Sequence, residues 1–267
     1  MDREKILYEM IFKRKSFHLF RDNKTKEYYS DSYKLADSEL AEIYDVFKTF
    51  KPLVENIKVD IRIVPNELTT CKRGQEYCIL LYSEKKTNYL QNIGFIGEQL
   101  DLYLTSKNIG ALWFGIGKTE EQTYNGLDFV TMIAICKVPE DKFRKDMFKS
   151  KRKPVEEIWH GTKYLDIASI VRFAPSSCNT QPWIVEEAED RLLVYRYKKP
   201  GKRGIMAIHK VTYQNLIDIG IFILFLSLCM EYRGIKHSIQ MHDDYSENEA
   251  ELTLACEMTI LPDWYVG

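Results

Sequence analysis

The sequence predicts an α+β fold organised around long buried helices and built from two similar halves. Three observations lead there. Short apolar strands alternate with helical segments along the whole chain. Two segments, 88–107 and 211–233, are long, apolar and helical in period. The order of elements in the first half then recurs in the second.

Each element has its own signal. Residues 3–13 read as a helix ending before Arg14. Residues 37–50 read as a second, with Asp37 or Ser38 as N-cap and Glu39 and Glu42 in the first turn. Ile57 to Val64 alternates apolar and polar positions, the mark of a half-buried strand. Tyr77 to Tyr82 is a short apolar strand. Residues 88–107 place Ile93, Ile96, Leu100 and Leu104 at helical spacing, and Phe129 to Val138 reads as a buried strand. The second series is a helix over 163–173, strands at Trp183 to Val185 and Leu192 to Tyr197, a helix over 211–233, and a strand at Glu251 to Ile260.

A shift of 126 residues lays Leu90, Ile93, Gly94, Leu100, Leu102 and Ile109 on Leu216, Ile219, Gly220, Leu226, Leu228 and Ile235. A shift of 123 lays Phe50, Pro52 and Asn56 on Phe173, Pro175 and Asn179. Hydrophobic matches are cheap between amphipathic helices. The paired glycines and the Phe-x-Pro-x-x-x-Asn coincidence are less so. The expected halves are 1–150 and 151–267, with a seam in the charged stretch Lys142 to Lys153. Their long central helices should pack together.

Composition narrows the function. A net charge of −1 over 267 residues argues against a nucleic-acid partner held by bulk electrostatics. The six cysteines are scattered, with no CxxC pair to suggest a zinc or disulfide framework. Reduced thiols in a cytoplasm, and no bound metal, are the expectation. The N-terminus lacks the apolar core of a signal peptide. Leu216 to Met230 is apolar but short for a bilayer and carries Asp218, so it reads as a buried central helix rather than a membrane span.

Four segments carry chemistry. Ala174-Pro175-Ser176-Ser177-Cys178-Asn179-Thr180-Gln181-Pro182-Trp183 follows a helix, stops it with a proline, and gathers short hydrogen-bonding side chains with free backbone amides. That suits a flat, polar-edged ligand, although a ligand-free loop can have the same composition. Arg14-Lys15-Ser16-Phe17-His18-Leu19-Phe20-Arg21 clusters cations and a hydroxyl just past a helix, either a phosphate clamp or a solvated turn. Lys149 to Pro154 is a second basic cluster, a further piece of clamp or a solvated linker. Gly110 to Gly117 allows close backbone approach to a ring edge, but it lacks the third glycine and setting of a dinucleotide fingerprint. Cys178 is a small packing residue or a catalytic thiol, the former being the simpler reading.

Together these segments resemble the nitroreductase family of FMN enzymes. Arg14, Ser16 and His18 stand on its Arg-x-Ser-x-Arg pattern, with histidine where arginine is usual, and Lys15 lies within it. Pro175, Ser176, Ser177, Asn179, Gln181, Pro182 and Trp183 match its Pro-to-Trp motif. Lys151 and Arg152 stand on its late basic cluster, and Gly115, Ile116 and Gly117 on the segment lining the flavin edge near N5. The resemblance implies a nitroreductase-like fold with mixed or antiparallel sheets. It also implies a pseudo-two-fold duplication in one chain, hence a monomer that is an internal pseudo-dimer. One flavin site would survive: the first half supplies clamp and glycine edge, and the second supplies the loop. The counterpart of the loop is Phe50 to Asn56, and that of the glycine edge is the polar stretch His237 to Asp244.

The implied reaction is hydride transfer from NAD(P)H to FMN, then from reduced FMN to a nitroaromatic, quinone or similar acceptor. No general acid is assigned. Two other readings stay open: a flavin-binding sensor or carrier without turnover, and a relic whose flavin site has decayed. The His18 replacement keeps the second alive.

Overall fold

The computed structural model describes residues 3–198, 206–243 and 251–262. The first elements are α1 (Arg3–Lys13), α2 (Tyr29–Ser32), α3 (Asp37–Phe47), β1 (Val59–Pro65), β2 (Tyr77–Ser83), α4 (Tyr89–Ser106), β3 (Ile109–Trp113), β4 (Thr123–Tyr124) and β5 (Leu127–Lys137). There follow α5 (Val155–Ile158), β6 (Trp159–His160), α6 (Leu165–Val171), β7 (Trp183–Ala188), β8 (Arg191–Tyr197), α7 (Ile208–Tyr232), β9 (His237–Met241) and β10 (Leu252–Ile260). The α+β class expected from the sequence is the class observed, with one antiparallel and one mixed sheet.

The chain divides into two compact units. One comprises Glu9–Lys86 and Ile96–Asp146 and holds the first sheet. The other comprises Met1–Tyr8, Thr87–Phe95 and Met147–Gly267 and holds the second. The division falls inside α1 and inside α4, so each of these helices contributes to both units.

In the first-sheet unit the order is β1-β2-β5-β3, antiparallel throughout, with β4 folded back on β5. β2 is buried from Cys78 to Ser83, so both its faces are covered, which is why it reads as a continuous apolar run. The β4–β5 hairpin turns through Asn125 and Gly126, at φ +49° and +76°. Two left-handed residues in a two-residue loop match the twist of the strands, and Asn-Gly is the pair that tolerates them. α3 starts at the expected place with a different cap. Ala36 is its N-cap, and the Ala36 N–H donates to the Glu39 carboxylate at 2.9 Å. Part of the glycine stretch, Gly110 to Trp113, is the edge strand β3 rather than a loop. A Cβ on Gly110 would stand 2.8 Å from the Phe17 ring, so this glycine serves packing under the strand.

In the second-sheet unit the order is β6-β7-β8-β10-β9, with β6 parallel to β7 and the other pairs antiparallel. His237–Met241 is the edge strand β9, where the sequence suggested only a polar stretch; Asp244 lies outside the described residues. Apart from β4 and β6, the two sheets share one topology. Two strands pair, a long helix follows, then an edge strand, and a final strand inserts between the second strand and the edge.

α7 is the core helix of its unit. It is long and apolar enough to cross a membrane by length and composition, yet 94% of its apolar window is buried inside the protein. Trp183 on β7 stacks on Phe222 at 4.8 Å. The first turns of α4 cross α7 with backbones nearly touching. A Cβ on Gly94 would lie 2.0 Å from the Ile217 carbonyl oxygen, and one on Gly220 would lie 1.9 Å from the Gln91 carbonyl oxygen. The contact is reciprocal: Gly94 and Gln91 stand to Gly220 and Ile217 at the same shift of 126 residues.

Gly220→Ala should therefore cost at least about 3 kcal/mol, because backbone cannot move aside as a side chain can. Gly126→Ala has open space around it and should cost only about 1 kcal/mol of left-handed strain. Denaturant midpoints of the two variants check the contrast.

Candidate functional site

Arg14 follows α1 and is 4% exposed. Its guanidinium is held by two carboxylates of α4: Nε lies 3.0 Å from Glu98 Oε1 and Nη2 lies 2.7 Å from Asp101 Oδ2. Nη1 donates to Ser16 Oγ at 3.3 Å, and the Trp113 indole N–H donates to Glu98 at 3.0 Å. Burial raises the Asp101 carboxyl, opposed by Arg14. Burial disfavours the Arg14 cation, but Asp101 and Glu98 outweigh it and raise Arg14. Arg14, expected as an open phosphate ligand, is thus a buried strut that ties the chain after α1 to α4.

The cations around it have no such partners. Lys15 Nζ donates to the Lys142 carbonyl at 2.9 Å; its ammonium is disfavoured by burial, then by Arg144 and Lys142. His18 is held below the ordinary histidine value by burial, then by Arg73 and Arg14. Arg144 is lowered by burial and by Arg14. Arg73 lies over the Phe114 ring at 5.7 Å. Among the described residues, no carboxylate pairs with Lys15, His18, Arg73 or Arg144, and Lys142 alone in this neighbourhood is matched, by Asp22 at 2.7 Å. Lys15 and Arg144 are partly buried, and His18 and Arg73 are exposed; like charges that lose water are costly until an anion joins them. Next to Phe114 the chain turns tightly, Gly117 N–H donating to the Phe114 carbonyl at 2.9 Å. Ile116 is 48% exposed on that turn, and a Cβ on Gly117 would strike Met132.

In the second-sheet unit the Pro175-to-Trp183 loop is a strained, many-times-anchored structure. Cys178, Asn179 and Gln181 all have positive φ, at +52°, +55° and +49°. Such conformations cost about 1–2 kcal/mol each and persist where surrounding bonds over-determine them. Those bonds are present. Ser177 N–H donates to both oxygens of Asp218 at 3.0 Å, and Thr180 Oγ1 meets Asn215 Oδ1 at 2.9 Å. Gln181 N–H donates to Ser176 Oγ at 2.9 Å. The Gln181 carboxamide accepts from Lys153 N–H at 2.8 Å and donates to the Asn179 carbonyl at 3.1 Å. Asn179 Nδ2 donates to the Lys151 carbonyl at 3.2 Å. The structure thus brings Lys151, Arg152, Pro175, Ser176, Ser177, Asn179 and Gln181 together, Arg152 through bonds to the carbonyls of Lys151 and Phe173. It spends Gln181 on holding the loop. The Cys178 thiol is raised by burial, then by Asp218, which disfavours the thiolate that a nucleophile needs, but its side chain is exposed and not packed in the core as the simpler reading expected.

A family described as "Putative TM nitroreductase" matches residues 6–229, well over half of the chain. This chain belongs to that nitroreductase family. A solved structure of a putative nitroreductase from Thermotoga maritima is 18% identical, covers 96% of this chain and 94% of its own, and superposes with a TM-score of 0.60, a likeness of fold. No curated protein matches. Membership makes this nitroreductase-family chain a flavin oxidoreductase in general terms.

Sequence reasoning missed several residues of this nitroreductase-family site. Arg73 and Arg144 stand outside any motif and reach the Lys15–His18 segment only through the fold. Asp218 and Asn215 anchor the loop, and Glu98 and Asp101 hold Arg14. The latent signal for these four was a pair of polar residues three apart in an apolar helix: on α7, Asn215 and Asp218; on α4, Glu98 and Asp101. Among the described residues no group of three or more His, Cys, Asp or Glu side chains is gathered for a metal.

Two predictions follow from these anchors. Arg14→Ala strands two buried carboxylates and should lose about 3–5 kcal/mol in denaturant unfolding, against under about 1 kcal/mol for Lys15→Ala. Burial raises the Asp218 carboxyl well above its ordinary value. The folded state therefore holds that proton more tightly than the unfolded chain does. Its contribution to stability is full below the ordinary carboxylate range and is lost as pH rises toward the folded value. Asp218→Asn still accepts from Ser177 and should flatten this part of the slope, seen as a gain in Tm over wild type that grows from pH 4 to pH 8.

Proposed function

We propose that this chain binds one FMN and uses it to pass hydride from NAD(P)H to a nitroaromatic, quinone or similar acceptor. The observation that carries the reading is the set of cations Lys15, Arg73 and Arg144 with no carboxylate partner, with the His18 imidazole among them, in a chain of the nitroreductase family. A phosphate dianion fits that set: it would offset the repulsion that disfavours the Lys15 and Arg144 cations, and each charge-assisted hydrogen bond contributes about 1.5–3 kcal/mol. Arg14 does not fit as a direct ligand, since its charge is already matched by Glu98 and Asp101. Its role in the proposal is to hold Ser16 and the Lys15–His18 segment in place.

The remaining expected contacts keep their assignment as proposals. The Phe114-to-Gly117 turn, with Gly115, Ile116 and Gly117, offers backbone to a ring edge. Ser176, Ser177 and Asn179 keep the flavin contacts that the family resemblance gives them, with Lys151 and Arg152 beside them. Bound FMN supplies the hydride chemistry. The chain's part is to fix the phosphate, present amides and hydroxyls to the ring, and keep the strained loop in one conformation through Asp218 and Asn215. The shared topology of the two sheets and the reciprocal glycine contact support an internal duplication, with halves 1–150 and 151–267 and a monomeric pseudo-dimer. Six free cysteines suit a cytoplasmic setting.

The visible spectrum of the purified protein tests the reading. A flavin spectrum at about one FMN per chain is expected, bleached by NADH or NADPH. Arg144→Ala should weaken FMN binding by about tenfold or more while leaving the fold intact, since it removes a cation with no carboxylate partner. A colourless protein that takes up no added FMN would favour the relic; flavin that neither nucleotide reduces would favour a carrier.

A further inference from the structure

The flavin reading leaves unused a cavity of about 330 Å³ in the first-sheet unit. Three tyrosines, Tyr28, Tyr29 and Tyr33, and three carboxylates, Asp22, Glu27 and Asp141, line it, and Lys142 is the cation among its lining residues.

Residues 22–33 build most of it locally. The Asp22 carboxylate accepts the Lys24 and Thr25 amides at 2.7 and 3.2 Å, and the Asp22 N–H donates to the Glu27 carbonyl at 2.9 Å, which closes a tight turn. Tyr28 then pairs back on Arg21. A Cβ on Gly74 would stand 2.3 Å from the Tyr28 ring, so that ring lies directly on the Gly74 backbone and its place is fixed. α2 is a single turn, and Tyr33 N–H donates to the Tyr29 carbonyl at 2.8 Å, which sets these two side chains on one face. Tyr29 belongs to the buried apolar cluster, whereas Tyr28 and Tyr33 are each 42% exposed.

Charge selects the ligand. Lys142 is held by Asp22 at 2.7 Å and by Asp141 at 3.6 Å. Among the described residues, Glu27 has no cation partner and no cation stands over the three rings. Three carboxylates against one ammonium leave the lining negative, which disfavours an anion. A bare metal ion is a poor match too, since no group of three or more His, Cys, Asp or Glu side chains is gathered for one among the described residues. Aromatic rings beside carboxylates suit a cation with an apolar skin.

We propose that this cavity binds a small alkylammonium ligand, its trimethylammonium head seated against Tyr28, Tyr29 and Tyr33 with Glu27 and Asp141 offsetting its charge.

Saturation-transfer NMR with choline as the probe tests this: the protein's aromatic protons are irradiated and the N-methyl signal is read. Transfer to choline is expected, with binding about tenfold tighter than that of the uncharged alcohol in which carbon replaces the nitrogen, at equal ionic strength. Glu27 and Tyr33 are exposed, so their variants keep the fold, which circular dichroism checks. Glu27→Gln and Tyr33→Leu should each weaken choline binding about fivefold or more, and Tyr33→Phe should retain it, because the ring and not the hydroxyl is used. Equal binding of choline and its uncharged match, wild-type binding by Tyr33→Leu, or no transfer to choline would overturn the proposal. Phosphatidylcholine vesicles separate a free ligand from a lipid headgroup: the protein should stay in the supernatant, and co-sedimentation would overturn the small-molecule reading. No arm uses flavin, so this outcome stands apart from the flavin reading.

Discussion

The crossing of the first turns of α4 with α7 is the constraint on which most of the second-sheet unit depends. At Gly94 and Gly220 two helical backbones meet at a distance that no side chain permits. The crossing fixes the position of α7 to within a fraction of a turn. The same stretch of α7 carries Asn215, two residues before the Ile217 carbonyl that Gly94 meets, and Asp218, one residue after it. Helix packing and loop anchoring are thus one problem, solved by one turn of helix. The three left-handed residues of the loop are tolerated because that turn cannot drift. The price is a carboxyl buried with one backbone amide as its partner, and burial raises Asp218 well above the ordinary carboxylate value.

The first-sheet unit uses charge differently. It places two carboxylates deep on α4 and pairs one guanidinium with both, with Ser16 accepting from Arg14 and Trp113 donating to Glu98. Nearer the surface it gathers cations with no counter-charge. A buried matched cluster gives geometry, and an unmatched one gives affinity for an anion. The two lie next to each other in sequence, at Arg14 and Lys15. Residue type alone therefore could not tell clamp from strut.

The long periodic elements were legible. α1, α4 and α7, and strands β1, β2, β5, β8 and β10, lie within about three residues of where apolar spacing puts them, because burial of one face or all faces writes itself into the sequence. The edge strands β3 and β9 were not. β3 and β9 pair on one side only; Gly110 weakens the strand signal of the first, and β9 alternates exposed Ser238 and Gln240 with only partly buried His237, Ile239 and Met241, too short and polar a run to stand out. The cap of α3 was misplaced by one or two residues because Glu39 can satisfy the Ala36 amide from three residues on, so a capping side chain at the N-cap was unnecessary.

The sequence by itself determined the class of fold, the long buried helices, the paired glycines and the Pro175-to-Trp183 motif. Each of these is a local requirement: an apolar period, a missing Cβ, a proline that ends a helix. Only the tertiary structure decided which cations are already matched and which are open, and that Gln181 holds the loop. It alone brought Arg73 and Arg144 to the Lys15–His18 segment and set Asp141 and Lys142 around one cavity with Tyr28 and Tyr33. Charge pairing and hydrogen bonding act across space, between residues whose separation along the chain carries no record of the distance between them.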